Sequence, residues 1–332
     1  MRLLIVTDAW TPQVNGVVRS LTTVRDYMQA QGHTVEMIGP DRFRTVPCPT
    51  YPQIPLARGV RRRLPAMIEA VAPDAVHIAT EGPLGWGARA YCRKHGVSFT
   101  SSYHTMFPEY VHIRFRVPLS WTYGMLRRFH GAASATMVAT PSLERMLAAR
   151  GFRNLVRWSR GVDTELFRPR AKDFLSDPRP IQMYVGRVAP EKNIEAFLAL
   201  KAPGTKYVIG DGPQLGDFRR RFPDVRFPGA KFGEELASYF AAADVFVFPS
   251  RTETFGLVML EALACGVPVA AFPVQGPLDV MDGAEVGCMD EDLGRAVQSA
   301  LHVPAERCRA HALSFSWQAS CEQFVANLRP FH

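Results

Sequence analysis

Strand-length apolar runs alternate with helix-length amphipathic stretches along the whole chain, and that alternation leaves few folds open. Residues 3–7, 34–38, 75–78, 97–100 and 135–139 read as strands in the first half. Residues 181–185, 207–209, 224–227, 245–248 and 267–271 read so in the second, with helical patterns such as 17–31 and 191–200 between strands. Apolar strands separated by helices make parallel βαβ units with helices on both faces of the sheet. The pattern breaks at Ser159-Arg160-Gly161-Val162-Asp163-Thr164, and an irregular stretch continues to Pro180. The expected class is α/β, two Rossmann-like domains facing across a cleft. They occupy residues 1–160 and 181–312, with a linker at 161–180 and a last helix within 313–332. Ligands of such sheets sit beyond the C-terminal ends of the strands, so chemistry is expected in the loops that follow them.

At 332 residues the chain has room for two domains and two cores. No apolar run reaches the roughly 18 residues of a membrane span; the best candidate, 255–271, is interrupted by Glu261 and Pro268. The opening MRLLIVTDAW is a strand pattern and not a signal peptide. Six cysteines lie scattered at 48, 92, 265, 288, 308 and 321 with no CxxC pair, which reads as reduced cytosolic thiols without a metal. The net charge of +8 is uneven. Residues 1–160 hold 21 Lys and Arg against 9 Asp and Glu, and the remainder holds 18 against 22. A basic half joined to a mildly acidic one points to an anionic partner for the first half alone.

The densest chemistry lies in Pro249-Ser250-Arg251-Thr252-Glu253-Thr254-Phe255-Gly256-Leu257-Val258-Met259-Leu260-Glu261-Ala262. It sets two carboxylates eight positions apart, one in a loop after a strand and one inside the apolar helix that follows. Two such glutamates could be a solvated loop charge and a solvated helix charge. Context argues otherwise, because a carboxylate among Leu257, Val258, Leu260 and Leu263 needs a partner to offset its desolvation. The amides that open the helix attract phosphate. Gly186-Arg187-Val188-Ala189-Pro190-Glu191-Lys192 follows the first strand of the second half. A cation at a helix start opposes the macrodipole, so Lys192 and Arg187 make sense with a diphosphate between them. Asn15-Gly16-Val17 forms the first βα loop and lacks GxGxxG, which removes the nicotinamide fingerprint. His104, in Ser102-Tyr103-His104-Thr105, stands at the end of a strand; His77 and His112 have no such support and read as structural.

These motifs resemble the E-x7-E and G-R-x-x-x-x-K elements of retaining glycosyltransferase family four, which has the GT-B fold. The resemblance spans nearly the whole chain. Ser102-Tyr103-His104-Thr105 with Phe107-Pro108, and Gly276-Pro277-Leu278-Asp279-Val280, look like the branch that glycosylates membrane lipids, similar to sulfoquinovosyl-, glucuronosyl- and mannosyl-diacylglycerol transferases. The chain departs from the general family at Gln275-Gly276-Pro277-Leu278-Asp279, where many members carry Gly-Gly and a Glu.

The resemblance implies an acceptor-binding first domain, a nucleotide-sugar-binding second domain and a last helix that crosses back to the first. It implies His104, Arg187, Lys192 and Glu253 as catalytic residues. The implied donor contacts are Gly16, Gly186, Arg187, Lys192, Gly210, Lys231, Glu253, Thr254, Phe255, Gly256, Leu257, Val258 and Glu261. Glu261 would hold ribose, and Glu253 and His104 would orient the sugar. Gly210 reads equally as turn chemistry, and Lys231 as a surface lysine. The donor would be a nucleoside-diphosphate sugar, with UDP placed ahead of GDP, and it is a substrate, so no cofactor is expected. No metal is expected.

Arg61, Arg62 and Arg63, and Arg114, Phe115, Arg116 and Trp121, mix cations with apolar bulk. That suits an anionic membrane surface and a lipid acceptor at the cytoplasmic face; ordinary core aromatics beside solvated arginines would look the same. No nucleic-acid partner is expected. The rival readings are the same chemistry on a soluble or polysaccharide acceptor, and a non-catalytic nucleotide-sugar or nucleic-acid binding module. A GT-B epimerase is a third, weaker possibility.

Overall fold

The computed structural model describes residues 1–13, 15–49 and 51–331, which form two compact units. The first runs to Arg160 and resumes at Gln318; the second is Gly161–Trp317. In the first, β1 (Arg2–Val6), α1 (Gly16–Ala30) and β2 (Thr34–Ile38) precede an antiparallel hairpin, β3 (Thr45–Cys48) with β4 (Tyr51–Ala57). Then come α2 (Val60–Val71), β5 (Ala75–Ile78), α3 (Pro83–His95) and β6 (Thr100–Ser102). The helix pair α4 (Phe107–Phe115) and α5 (Leu119–His130) leads to β7 (Ala135–Val138), α6 (Pro141–Ala149) and β8 (Leu155–Arg157). Six strands form a parallel sheet in the order β2-β1-β5-β6-β7-β8.

Burial on both faces explains the continuous apolar strands. Along β1, Leu3 and Ile5 point to one face and Leu4 and Val6 to the other, as the two-residue period requires. The first face packs on Leu21, Val24 and Met28 of α1, and the second on Leu64 and Ile68 of α2 and Leu84 and Ala88 of α3.

The second unit repeats the plan. Its strands are β9 (Ile181–Val185), β10 (Thr205–Ile209), β11 (Arg226–Gly229), β12 (Val245–Phe248), β13 (Val269–Ala271) and β14 (Gly287–Met289), ordered β11-β10-β9-β12-β13-β14. Its helices are α7 (Ile194–Leu198), α8 (Leu215–Arg221), α9 (Gly233–Ala242), α10 (Leu257–Ala264), α11 (Gln275–Met281), α12 (Leu293–Ala300) and α13 (Ala305–Leu313). The final helix, α14 (Trp317–Asn327), takes the chain back to the first unit, where Cys321, Phe324 and Leu328 join the core beside Trp158. In each sheet the chain builds one way from its first strand and then reverses. That leaves a crevice at the C-terminal ends of β1 and β5 in one unit, and of β9 and β12 in the other.

Several expected boundaries move. Residues 161–180, expected as a linker, belong to the second unit. Asp244 holds the side chains of Lys172 and Arg179 at 3.1 and 2.7 Å and the amide of Ile181 at 2.7 Å, and Asp177 takes Arg226 at 2.9 Å. The helix expected over 191–200 divides into a 3-10 turn, Pro190–Lys192, and α7, because Asn193 takes a left-handed backbone with φ 52°. β6 starts where the strand expected at 97–100 was to end. The hairpin, β8 and β14 were not anticipated; their short segments lack a long apolar run.

Candidate active site

In the second unit the loops after β9 and β12 meet at the reversal of the strand order. Lys192 Nζ donates to Glu253 Oε2 at 2.5 Å, and the two side chains are 19% and 16% exposed. Neutral bonds stitch the loops together around this pair. Asn193 Nδ2 donates to the Pro249 carbonyl at 3.0 Å, and Ser250 and Thr252 hydroxyls donate to the Glu191 carbonyl at 3.4 and 3.2 Å. Lys192 therefore does not sit at a helix start, as expected from sequence; it closes a 3-10 turn and faces a carboxylate.

Glu253 is followed by Thr254 and Phe255, and Gly256 occupies the N-cap of α10 with φ 87° and no side chain capping the helix. That left-handed backbone is what calls for glycine there. Leu257 and Val258 open the helix, and Glu261, its fifth residue, is 3% exposed within a helix whose inner positions are apolar. Gly276 lies close under this loop: a Cβ there would stand 3.1 Å from the Phe255 carbonyl and 3.3 Å from Glu253 Cβ.

Gly186 and Gly210 are explained by the backbone itself. Both have φ 148°, and a Cβ on Gly210 would stand 1.9 Å from the Gly186 carbonyl oxygen. Arg187 is half-buried, and its carbonyl accepts from the Tyr184 hydroxyl at 2.9 Å. Lys231 has a local partner, Glu235, at 2.6 Å one helical turn on, which fits the surface reading better than a base contact.

In the first unit Gly16 begins α1, whose amides at Val17 and Val18 are both taken at 3.0 Å by the side chain of Asn15. That cap satisfies two of the donors an anion would have used. Asp8, after β1, caps α3 through the Leu84 and Gly85 amides at 2.8 and 3.2 Å, and burial pushes its carboxyl up to about 6. Beyond β6, His104 is half-buried, and Arg160 Nη2 lies 3.2 Å from its Nδ1. Burial first, and Arg160 second, hold the imidazole well below the usual histidine range. His77 is fully buried between the hydroxyls of Thr100 and Ser102, each at 2.9 Å, with its pKa lowered to about 3 by burial. His130 reaches Ser101 at 2.9 Å and Glu81 at 3.0 Å.

The cations expected at an interface lie on this unit's surface. α4 ends at Phe115 because Arg116 adopts φ 54°. Phe115 is 56% and Trp121 74% exposed, with Ile113 also exposed and Arg114 and Arg116 beside them in sequence. Arg61, Arg62 and Arg63 are exposed on α2, and the Arg63 guanidinium lies 5.4 Å from the Phe43 ring centre. Among the described residues no helix is long and apolar enough to cross a membrane.

Residues 14–166 match the model of Glycosyltransferase Family 4, and residues 179–302 match that of Glycosyl transferases group 1. A GDP-mannose-dependent alpha-mannosyltransferase of Mycobacterium tuberculosis is 31% identical over 98% of this chain and 96% of its own length. The chain belongs to glycosyltransferase family 4. Within that family, the alpha-monoglucosyldiacylglycerol synthase of Streptococcus pneumoniae is 26% identical over all of this chain and 85% of its own. The solved sucrose-phosphate synthase of Thermosynechococcus elongatus superposes with a TM-score of 0.80 at 20% identity, covering 98% of this chain and 97% of that one. The fold of this family 4 member is GT-B, and the enzyme is a hexosyltransferase.

Arg160 and Trp158 were missed as site residues. Arg160 falls in Ser159-Arg160-Gly161, the segment that sequence reading takes as the break between domains, and Trp158 stands directly before it. The Ser250-x-Thr252 pair that ties the two donor loops was also legible, directly before Glu253.

Proposed function

We propose that the chain catalyses retaining α-hexosyl transfer from a nucleoside-diphosphate hexose to a lipid acceptor, working peripherally on the cytoplasmic face of an anionic membrane. One observation carries the donor half: the Lys192–Glu253 pair, held at 2.5 Å by the loops after β9 and β12, occupies the crevice where open parallel sheets take ligands. Lys192 and Arg187 bind the diphosphate, helped by the amides that open α10 at Leu257 and Val258. Glu253 and His104 orient sugar hydroxyls, and Glu261 holds ribose. Thr254, Phe255 and Gly256 shape the turn that presents those amides, and Gly16, Gly186 and Gly210 keep backbone close to the donor. Lys231 is the weakest member of the set.

In the reaction the anomeric C–O bond to the diphosphate breaks as the acceptor oxygen bonds to the same face of the sugar. The acceptor's proton passes to a diphosphate oxygen, and the nucleoside diphosphate departs. Arg187, Lys192 and the helix opening meet the charge that develops on the leaving group. The full-length relatives named for GDP-mannose support that donor over the UDP-sugars expected from sequence. The synthase named for diacylglycerol, with the basic and aromatic surface of α4 and α5, supports a lipid acceptor.

A thermal-shift panel of GDP-mannose, UDP-glucose, UDP-glucuronate and ADP-glucose tests the donor, since ligands of the folded state raise its melting temperature. GDP-mannose should give the largest shift and should then label a diacylglycerol-type acceptor. No shift with any nucleotide sugar overturns the reading.

A further inference from the structure

Three histidines cluster behind β5 and β6, and each meets a different kind of partner. His77 faces two hydroxyls, which can donate or accept. His130 faces the Glu81 carboxylate, an acceptor. His104 faces a guanidinium, which has donors only. A neutral imidazole that accepts at Nδ1 must carry its proton on Nε2.

Arg160 is built to stay in place. It is 5% exposed, and its Nη1 donates to the carbonyls of Trp158 at 2.7 Å and Ser159 at 2.9 Å. Its guanidinium lies 4.0 Å from the Trp158 ring centre, and the same indole meets His104 edge-on with centroids 5.5 Å apart. Trp158 in turn is anchored to β7 through its amide, 2.9 Å from the Val138 carbonyl, and is walled by Phe324 of α14. None of the ion pairs among the described residues includes Arg160. Carbonyl oxygens and an aromatic face compensate its charge, so no carboxylate competes for the Nη2 that reaches His104.

We propose that Arg160 is a positioning residue that fixes His104 as the Nε2–H tautomer, so that the ring offers the transferring sugar one permanent hydrogen-bond donor. The inference rests on the sugar contact assigned to His104 above and adds the state in which that contact is made. A donor that neither flips its tautomer nor titrates is preorganised for a sugar oxygen. The groups facing the ring agree with this state: Arg160, His77 and His130 all disfavour a proton on it, with Glu81 answering His130 alone.

The test is two-bond 1H–15N correlation of 15N-histidine-labelled full-length protein, assigned with His104→Asn. Wild type should show the Nε2–H pattern for His104, unchanged from about pH 5.5 to 8. Arg160→Met, which keeps the stem over Trp158, should give mixed tautomers and a titrating ring. A limb near the ordinary histidine pKa of about 6.5 should enter its kcat/KM profile, so that activity at about pH 6 falls roughly fourfold further than at pH 8. Arg160→Lys, which keeps a donor and a charge, should retain most of the wild-type pattern. An Nδ1–H pattern in wild type, or titration within that range, overturns the proposal even if Arg160→Met fails to fold. So does an Arg160→Met spectrum and pH profile identical to wild type. The spectrum judges the tautomer without any donor, whereas failure of every nucleotide sugar would overturn the transferase reading instead.

Discussion

The candidate residues of the second unit hold charge in compensated, partly exposed form: Lys192 against Glu253, each about a fifth exposed or less. Those of the first unit hold it in the opposite way, with a buried arginine set against carbonyls and an indole face beside histidines kept neutral. The contrast follows the work each set is proposed to do. Charge that appears on a leaving diphosphate is met best by a cation that can exchange one anionic partner for another. Hydroxyl orientation is met best by donors whose protons stay put. A pair that keeps some exposure can trade its partner on binding, while the buried network of the first unit is part of the core.

The largest effect should come from breaking the pair. Lys192→Ala should cut kcat/KM by roughly 10²–10³-fold, the loss of about 3–4 kcal/mol typical of removing a preorganised donor at developing charge. Its circular dichroism should stay that of wild type, with a modest fall in melting temperature as Glu253 loses this partner. Glu253→Ala should be comparably slow, and the double variant should fall well short of the sum, since the two side chains share one interaction. Wild-type turnover in Lys192→Ala would dissolve the distinction between the two sets.

The buried network makes a second, smaller difference, visible in stability. His77 has a folded pKa of about 3, lowered from the ordinary value of 6.5 by burial. The unfolded chain therefore binds its proton first, and the stability His77 contributes is complete above about pH 6.5 and lost as pH falls toward 3. That loss is on the order of 1 kcal/mol per pH unit. His104 acts with the same sign. Asp8 opposes them: its folded carboxyl titrates near 6, so between its unfolded value and 6 it adds stability as pH falls. His77→Gln should therefore flatten the dependence of urea-unfolding free energy on pH between about 4 and 6.5, whatever it costs at neutrality. An unchanged slope would show that His77 is not held neutral by the fold.

The sequence carried the sheet and its periodicity because strands buried on both faces must be apolar throughout; 34–38, 75–78, 181–185 and 245–248 appear in the structure as read. It pointed to the loops after β9 and β12 through the resemblance of Gly186-Arg187 with Lys192, and of Glu253 with Glu261, to family elements, because the carboxylate spacing alone suits solvated charges equally well. It did not reveal the Lys192–Glu253 pair, whose partners lie 61 positions apart and meet only because β9 and β12 become neighbours when the strand order reverses. Arg160 stayed hidden for a related reason. An arginine at a domain boundary looks solvated until the chain turns it back over Trp158, 56 residues from the histidine it faces. The hairpin at 45–57 escaped a reading tuned to parallel strands, since its prolines at 47 and 55 are edge-strand residues without a periodic signal.

The last difference between the units is on their surfaces, and it is the smallest per residue. The first half carries an excess of Arg and Lys and exposes Phe115 and Trp121 next to Arg114 and Arg116, whereas the second half is mildly acidic. Apolar groups at headgroup depth with arginines beside them bind anionic bilayers through two additive terms, area and charge. Each arginine contributes on the order of 1 kcal/mol, about fivefold in affinity, and that share is screened by salt. Arg114→Gln with Arg116→Gln should therefore weaken binding to phosphatidylglycerol vesicles by roughly 25-fold and reduce its salt dependence. Trp121→Ala should weaken it while leaving the salt dependence as it was, because it removes area and no charge. Turnover of a soluble acceptor analogue should be unaffected by any of these changes, since the donor residues all lie elsewhere. Wild-type vesicle affinity in the combined variant would move the membrane contact to Arg61, Arg62 and Arg63 on α2, the other basic face of the same unit.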